Sequence, residues 1–212
     1  MGYPGSKSGN GSFQQIISEI PLSTLFVEGF TGSGVVWENM RLCERSILID
    51  IDPRVCESLI AASKKRQADT STAVLCGSFL DYLEALRGEF ESYKDRCTIY
   101  LDPPYPFSVR KSGQKGIYKH EFGGTAQHAD LLSRVYRLPC NVLISGYSSP
   151  LYDQWLSEWR VKRWQVMTRG GPAIEKLWMN FPPAAVLQDG RYIGENYTQR
   201  QRLRRLAGVE RR

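Results

Sequence analysis

The stretch Leu25-Phe26-Val27-Glu28-Gly29-Phe30-Thr31-Gly32-Ser33-Gly34-Val35-Val36 decides the fold. Residues 25–27 are apolar and run into an acid. The glycines that follow break any regular element, and Val35, Val36, Trp37 and Met40 then return at helical spacing. Strand, glycine turn and helix form the first βα unit of a nucleotide-binding sheet, in which glycines let a ligand approach the backbone closely. The glycine spacing is GxxGxG rather than GxGxxG, and no GK[ST] follows, so a pyrophosphate ligand is poorly supported.

The same rhythm recurs toward the C-terminus. Residues 47–49 form an apolar strand ending in Asp50-Ile51-Asp52, before Pro53 opens a helix through Val55, Leu59 and Ile60. An acid at the end of a second strand is placed to bind ribose hydroxyls. Residues 72–76 form a third strand, followed by Gly77-Ser78-Phe79 and a helix with Leu80, Leu83 and Leu86 on one face. The fourth, residues 97–101, stops at Asp102-Pro103-Pro104-Tyr105, because proline lacks the N–H that a ladder needs. Repeated strand and helix predict an α/β fold: a mostly parallel sheet with right-handed crossovers, all its strand C-termini opening on one edge. Glu28, Asp50, Ser78 and Asp102 are therefore expected to share one cleft.

At that edge the Asp102 carboxylate, stiff proline carbonyls and the Tyr105 ring suit an exocyclic amine on a planar base. An ordinary strand end closed by an Asx turn and a proline turn uses the same residues, and the motif alone leaves both readings standing.

The remaining chain fits around this frame. Residues 3–11 read as a glycine-rich loop carrying Lys7, and Ser12 is expected to cap a helix with Phe13, Ile16, Ile17 and Ile20 inward. From 106 to 124 the pattern is lost among prolines, glycines and the basic residues Arg110, Lys111, Lys115 and Lys119, which reads as a functional loop, placed to bind nucleic acid, or as a disordered, solvated one. Thr125 is expected to cap a helix with Leu131, Leu132, Val135 and Leu138 inward, and residues 141–144 to form a strand. Ser149-Pro150 starts a helix with Leu151, Trp155, Leu156 and Trp159, and residues 164–167 and 177–180 form a hairpin at one sheet edge. His120 and His128 sit in no metal or triad pattern and receive no chemistry.

The chain has 212 residues and 24.1 kDa, the size of one α/β domain. Its formal charge of +6 points to a polyanionic partner, more so because Arg191, Arg200, Arg202, Arg204, Arg205, Arg211 and Arg212 crowd the end of the chain. Cys43, Cys56, Cys76, Cys97 and Cys140 are odd in number and widely spaced, which reads as buried free thiols in a reducing compartment rather than a metal site. With no apolar run of about 20 residues and no leader pattern, a cytoplasmic protein is expected.

In order, the motifs YPGSKSG, FVEGFTGSG, ILIDIDP, CGSFLDYL, IYLDPPY, LISGYSSPLYD, TRGG, LWMNFPP and RYIGENYTQRQRLRRL resemble those of the small, phage-type DNA adenine N6-methyltransferases of the D12 class. The resemblance implies a Rossmann-like S-adenosylmethionine-dependent methyltransferase fold with an antiparallel edge hairpin and helices on both faces. It also implies S-adenosyl-L-methionine as cofactor, S-adenosyl-L-homocysteine as product, no metal, and double-stranded DNA as substrate in a bacterial or phage-infected cell.

Tyr3 and Lys7 match the family's N-terminal cofactor motif, and Glu28, Phe30, Gly32 and Gly34 the turn around the methionine moiety. Asp50 matches the ribose-binding acid, Ile51 the apolar contact beneath the adenine, and Ser78 and Phe79 the start of the next cofactor motif. Asp102, Pro103, Pro104 and Tyr105 match the catalytic motif, with Asp102 also beside the cofactor. Gly29 departs from the family's proline, and Ser78 from its adenine-binding aspartate.

The methyltransferase domain is expected over residues 1–190, with a DNA-binding loop at 106–124 and a basic tail over 191–212. DNA contacts are nominated at Arg110, Lys111, Lys115, Tyr118, Lys119, Arg200, Arg202, Arg204 and Arg205. An RNA adenine methyltransferase and a non-catalytic DNA-binding protein on a decayed methylase fold stand as alternatives, while the glycine spacing argues against a nicotinamide oxidoreductase. The sequence leaves open the target site, a cognate restriction enzyme as partner, and whether the protein is a monomer or a homodimer.

Overall fold

A sheet of seven strands runs in the order β3-β2-β1-β4-β5-β7-β6. Its parallel members are β1 (Leu25–Gly29), β2 (Arg45–Asp50), β3 (Ser71–Cys76), β4 (Cys97–Leu101) and β5 (Asn141–Tyr147); β6 (Arg160–Thr168) and β7 (Gly171–Met179) are antiparallel at one edge. The structure is a computed structural model that describes residues 7, 11–66, 71–110, 116, 119–168, 171–194 and 196–209. Tyr3, Lys111, Lys115 and Tyr118, and the side chain of Arg204, lie outside the described residues.

β1 is buried along its whole length because it is paired on both sides, to β2 and to β4. The chain turns outward in opposite directions from these two central strands, and the crevice above their C-terminal ends is the ligand position of open α/β sheets.

Helices cover both faces, as the alternation of apolar residues requires. Against one face lie α1 (Ser12–Ile17), α2 (Val35–Asn39) and α3 (Pro53–Lys65), burying Ile16, Ile17, Trp37 and Leu59 with Phe26 and Leu48 of the sheet. Against the other lie α4 (Phe79–Ala85), α5 (Arg87–Tyr93), α6 (Thr125–Val135) and α7 (Pro150–Trp155), burying Leu83, Phe90, Leu131 and Tyr152 with Val27 and Ile99. Burying each large apolar side chain contributes about 1.5–3 kcal/mol. A last helix, α8 (Tyr197–Val209), carries the basic end of the chain.

Local expectations shift where packing overrides them. Ser12 is the first helical residue rather than the cap; Gly11, at φ 75°, takes that place, and the Ser12 hydroxyl turns inward. Gly124 rather than Thr125 precedes α6. α7 ends at Trp155, which is 37% exposed, so the buried Trp159 comes from the turn before β6. Of the five thiols, all free, Cys76 at the end of β3 is exposed and the other four are buried. No helix among the described residues is long and apolar enough to cross a membrane.

Candidate functional site

A cleft of about 910 Å³, its open mouth included, lies above the C-terminal ends of β1, β2, β3 and β4. Glu28, Asp50, Ser78 and Asp102, expected to meet on the strength of their strand-end positions alone, all line it. Lys7, Phe30, Gly32, Ile51, Phe79, Pro103, Pro104 and Tyr105 do so as well.

The glycine turn is fixed from below. The Thr31 hydroxyl donates to the Glu28 carbonyl at 2.7 Å and accepts from the Ile49 N–H at 3.0 Å, tying the turn to β2. Phe30 is held at φ 56°, which an aromatic residue adopts only when its surroundings impose it. Gly34, at φ 67°, leads into α2 where a β-carbon would come within 2.7 Å of Leu59. Gly29 has a different reason: a β-carbon there would stand 2.5 Å from the Phe79 ring and 2.7 Å from Leu101. The departure from proline is thus matched to the seat of Phe79.

The acids at the Glu28 end are held by backbone. Glu28 accepts the Trp37 N–H at 3.1 Å, and burial raises its pKa to about 8 against that hydrogen bond, helped by the charges of Asp102, Glu38 and Asp50. Asp50 accepts the Gly32 N–H at 2.8 Å on one oxygen and the Asp52 N–H at 2.9 Å on the other; burial raises its pKa too. Each carboxylate oxygen keeps a second lone pair for a ligand hydroxyl. Asp52 caps α3 by accepting the Arg54 N–H, and Lys119 reaches both its oxygens at 2.9 Å, which holds Asp52 below its usual pKa.

The Asp102 end is more densely charged. Lys7 Nζ lies 2.7 Å from Asp102 Oδ1 and 2.8 Å from Glu175 Oε1, and donates to the Tyr105 hydroxyl at 3.0 Å. Burial alone would lower the Lys7 pKa, but Asp102, Tyr105 and Glu175 outweigh it and raise it well above the usual value. Ser145 Oγ also donates to Asp102 Oδ1, at 2.8 Å, and shares a 2.9 Å hydrogen bond with the Tyr100 hydroxyl. The Tyr147 ring packs against Tyr105 at 4.4 Å between centroids.

The described residues on either side of the loop after this motif meet each other. The Phe107 N–H donates to the Gly123 carbonyl at 2.9 Å, and His120, Glu121 and Phe122 line the cleft. Arg110, nominated for DNA, is 9% exposed: its Nε donates to the Tyr105 carbonyl at 2.8 Å and it pairs with Glu121 at 2.7 Å. It fixes the motif from behind because its guanidinium matches a carbonyl and a carboxylate already inside. Lys119 stays at the rim on Asp52. Arg200 donates to the Gly194 carbonyl, and Arg202 and Arg205 are exposed on α8.

Sequence reading passed over Glu175, Ser145 and His128. Glu175 has a signal: it shares one face of β7 with Ala173, Leu177 and Met179, where an acid is out of place. His128 has no fractional exposure; its Nδ1 pairs with the Tyr152 hydroxyl at 2.8 Å, its ring meets Phe122 edge-on at 5.0 Å, and burial lowers its pKa to about 4. Nothing in its sequence neighbourhood signals that contact. Among the described residues no group of three or more His, Cys, Asp or Glu side chains could hold a metal ion.

No family model and no curated protein matches the chain. Solved structures do. The precorrin 8w decarboxylase of Methanobacterium thermoautotrophicum superposes with a TM-score of 0.53 at 12% identity, over 85% of this chain and 94% of that one. A methyltransferase candidate of Porphyromonas gingivalis W83 gives 0.52 at 16% identity, over 86% of this chain and 43% of that one. SMU.776, a methyltransferase candidate complexed with S-adenosylhomocysteine, gives 0.52 at 11% identity, over 78% and 47%. The chain therefore has the Rossmann-like fold of the S-adenosylmethionine-dependent methyltransferases.

Proposed function

We propose that this protein transfers a methyl group from S-adenosylmethionine to N6 of adenine in DNA. The observation that carries the reading is that Asp102 and Tyr105 line the same cleft as Glu28, Asp50 and Ile51. An acceptor for an amine thus stands beside a surface for a nucleoside. The residues present fit the cofactor: buried Glu28 suits a cationic amino acid end, Asp50 a ribose, and Ile51 with Phe79 an adenine ring, while Ser78 offers a hydroxyl in place of the family's carboxylate. When bound, the cofactor supplies a methyl carbon activated by a sulfonium.

The chain's own part is to position and polarise the acceptor. Asp102 Oδ1 is held by Lys7 and Ser145, which aims Oδ2 at the incoming amine. Asp102 Oδ2 and the Pro103 carbonyl accept the two N–H bonds of N6 and draw its lone pair out of the ring. N6 would take the methyl carbon as the donor's S–CH3 bond breaks and leaves the neutral thioether S-adenosylhomocysteine; the Asp102 carboxylate would stabilise the positive charge on N6 and pass one of the N6 protons on to water. Because N6 is uncharged and the donor cationic, orientation and fixed charge dominate the barrier. Tyr147 backs one side of Tyr105, so an extruded base stacks on the other, at about a few kcal/mol for unstacking. Lys119 at the rim and Arg202 and Arg205 on α8 supply phosphate contacts.

Radiolabelled methyl transfer to duplex DNA and to RNA of the same sequence tests the reading, followed by mapping of modified adenines in methylation-free cells expressing the protein. N6-methyladenine in DNA, with affinity falling steeply with salt, is the expected result. Label confined to RNA, or to no nucleic acid, overturns it.

A further inference from the structure

Asp102 is the acceptor in the reading above, and the surroundings of Lys7 hold one charge more than burial requires. Lys7 and Asp102 alone would make a neutral pair. Glu175, 3% exposed and 2.8 Å from the same ammonium, turns the pair into a cluster of one cation and two carboxylates. The second carboxylate is built in from several sides. Glu175 Oε1 also accepts from the Tyr105 hydroxyl at 3.4 Å, and Oε2 from Ser12 Oγ at 3.5 Å. Ser12 is in turn held by Trp164 Nε1 at 3.1 Å, on the strand position opposite Glu175. Burying surplus negative charge works against folding unless a cation completes it.

We propose that Glu175 is a positioning residue of the transfer reaction, taking up the charge of Lys7 so that Asp102 keeps a full negative charge for the amine. Without Glu175, Lys7 would neutralise Asp102 and draw its carboxylate away from the cleft. With Glu175, the cluster carries one net negative charge facing the place where the methylated nitrogen turns cationic. Lys7 then orients Asp102 without cancelling it. The inference rests on Asp102 as the acceptor, and on the cofactor's charged sulfur lying in the same cleft.

Glu175→Gln keeps the shape and most hydrogen-bonding capacity while removing the charge. Its kcat for methyl transfer should fall by about 10- to 100-fold with KM for DNA within a few-fold of the parent, as for a group whose effect is felt in the transition state. Adding Lys7→Met to Glu175→Gln should restore kcat above that of Glu175→Gln alone, because Asp102 regains an uncancelled charge. A purely structural role predicts the opposite, a double variant slower than either single. A second readout needs no acceptor: calorimetric affinities for cationic S-adenosylmethionine and neutral S-adenosylhomocysteine. The preference for the cation should drop by about 3- to 10-fold in Glu175→Gln and return in the double variant.

An unchanged preference, or a double variant slower than both singles, overturns the inference. If the parent protein methylates no DNA, the functional reading falls, while the cation preference still decides the role of Glu175. Should Glu175→Gln not fold, the comparison moves to Lys7→Met against the double variant. Lys7→Met, with two carboxylates and no cation, should then favour the cationic ligand more strongly, and equal preferences count against the inference.

Discussion

Two ion pairs border the same cleft at almost the same distance and are of different kinds. Lys7 stands 2.7 Å from Asp102 and 2.8 Å from Glu175, with Lys7 5% exposed. Lys119 stands 2.9 Å from Asp52, but is 58% exposed. Distance ranks them as equals and the medium does not. Two unit charges 4 Å apart interact by about 4 kcal/mol at an effective dielectric of 20 and about 1 kcal/mol in water, and salt erodes only the exposed pair. The difference teaches which charges at this sheet edge are fixed in place. The Lys7 cluster is shut away from water with its ammonium fixed between two carboxylates, while the Lys119 pair at the rim leaves its ammonium wet and replaceable.

The largest break in that contrast comes from Asp102→Ala. Lys7 keeps Glu175 as partner, so the cluster stays compensated and the fold should survive. Methyl transfer should fall by more than about 1,000-fold, far beyond the about 3- to 10-fold weakening of S-adenosylmethionine binding expected from the loss of one carboxylate charge in the cluster. Near-normal turnover in single-turnover kinetics would remove Asp102 from the mechanism.

His128 probes the dry side through stability. Its pKa is about 4 in the fold against an ordinary 6.5, so the unfolded chain takes up a proton first as pH falls. Stability contributed by the neutral ring is complete above 6.5 and is lost progressively down to about pH 4, by about 3 kcal/mol. The buried acids Glu28, Asp50 and Glu175 shift the other way and gain stability over the same descent. The difference between the parent and His128→Leu isolates the ring: urea titrations should show their gap closing as pH drops from 6.5 to 4. A constant gap would refute it.

Glu28 sharpens the comparison with about a tenfold effect per pH unit at most. With a pKa of about 8 it is protonated at pH 7, and a cationic ligand in the cleft favours its charged form. Binding should release a proton, so affinity should climb as pH rises toward 8 and level off beyond. Calorimetry at pH 7 in buffers of different ionisation enthalpy should report that proton, and Glu28→Gln should lose it. Equal apparent enthalpies in all buffers for the parent would show that Glu28 does not ionise.

The legibility of the chain follows the same divide. Strand ends were readable because apolar runs, glycines and prolines act over a few residues; Glu28, Asp50, Ser78 and Asp102 needed only that local pattern and the direction of a parallel sheet. Glu175 is separated from Lys7 by most of the chain and is brought to it by the β7 register, which no local pattern encodes. The placing of Arg110 was hidden for a related reason. A basic residue in a loop suggests solvent and phosphate, and only the folded loop shows that the Tyr105 carbonyl and Glu121 already claim it. His128 was invisible because its partners, Tyr152 and Phe122, lie on a different helix and a returning loop.

The smallest expected effect belongs to the wet end. Lys119→Ala removes an ammonium that is more than half exposed and leaves Asp52 with its backbone partner, the Arg54 N–H. The helix cap therefore persists, and the melting temperature should stay within about 2 °C of the parent, as for exposed pairs generally. What should change is the salt dependence. If Lys119 exchanges Asp52 for a DNA phosphate, the slope of log affinity against log salt should become shallower by about one unit. A slope identical to the parent would keep Lys119 on Asp52 in the complex, making this rim pair a tether between the returning loop and α3 rather than part of the DNA contact.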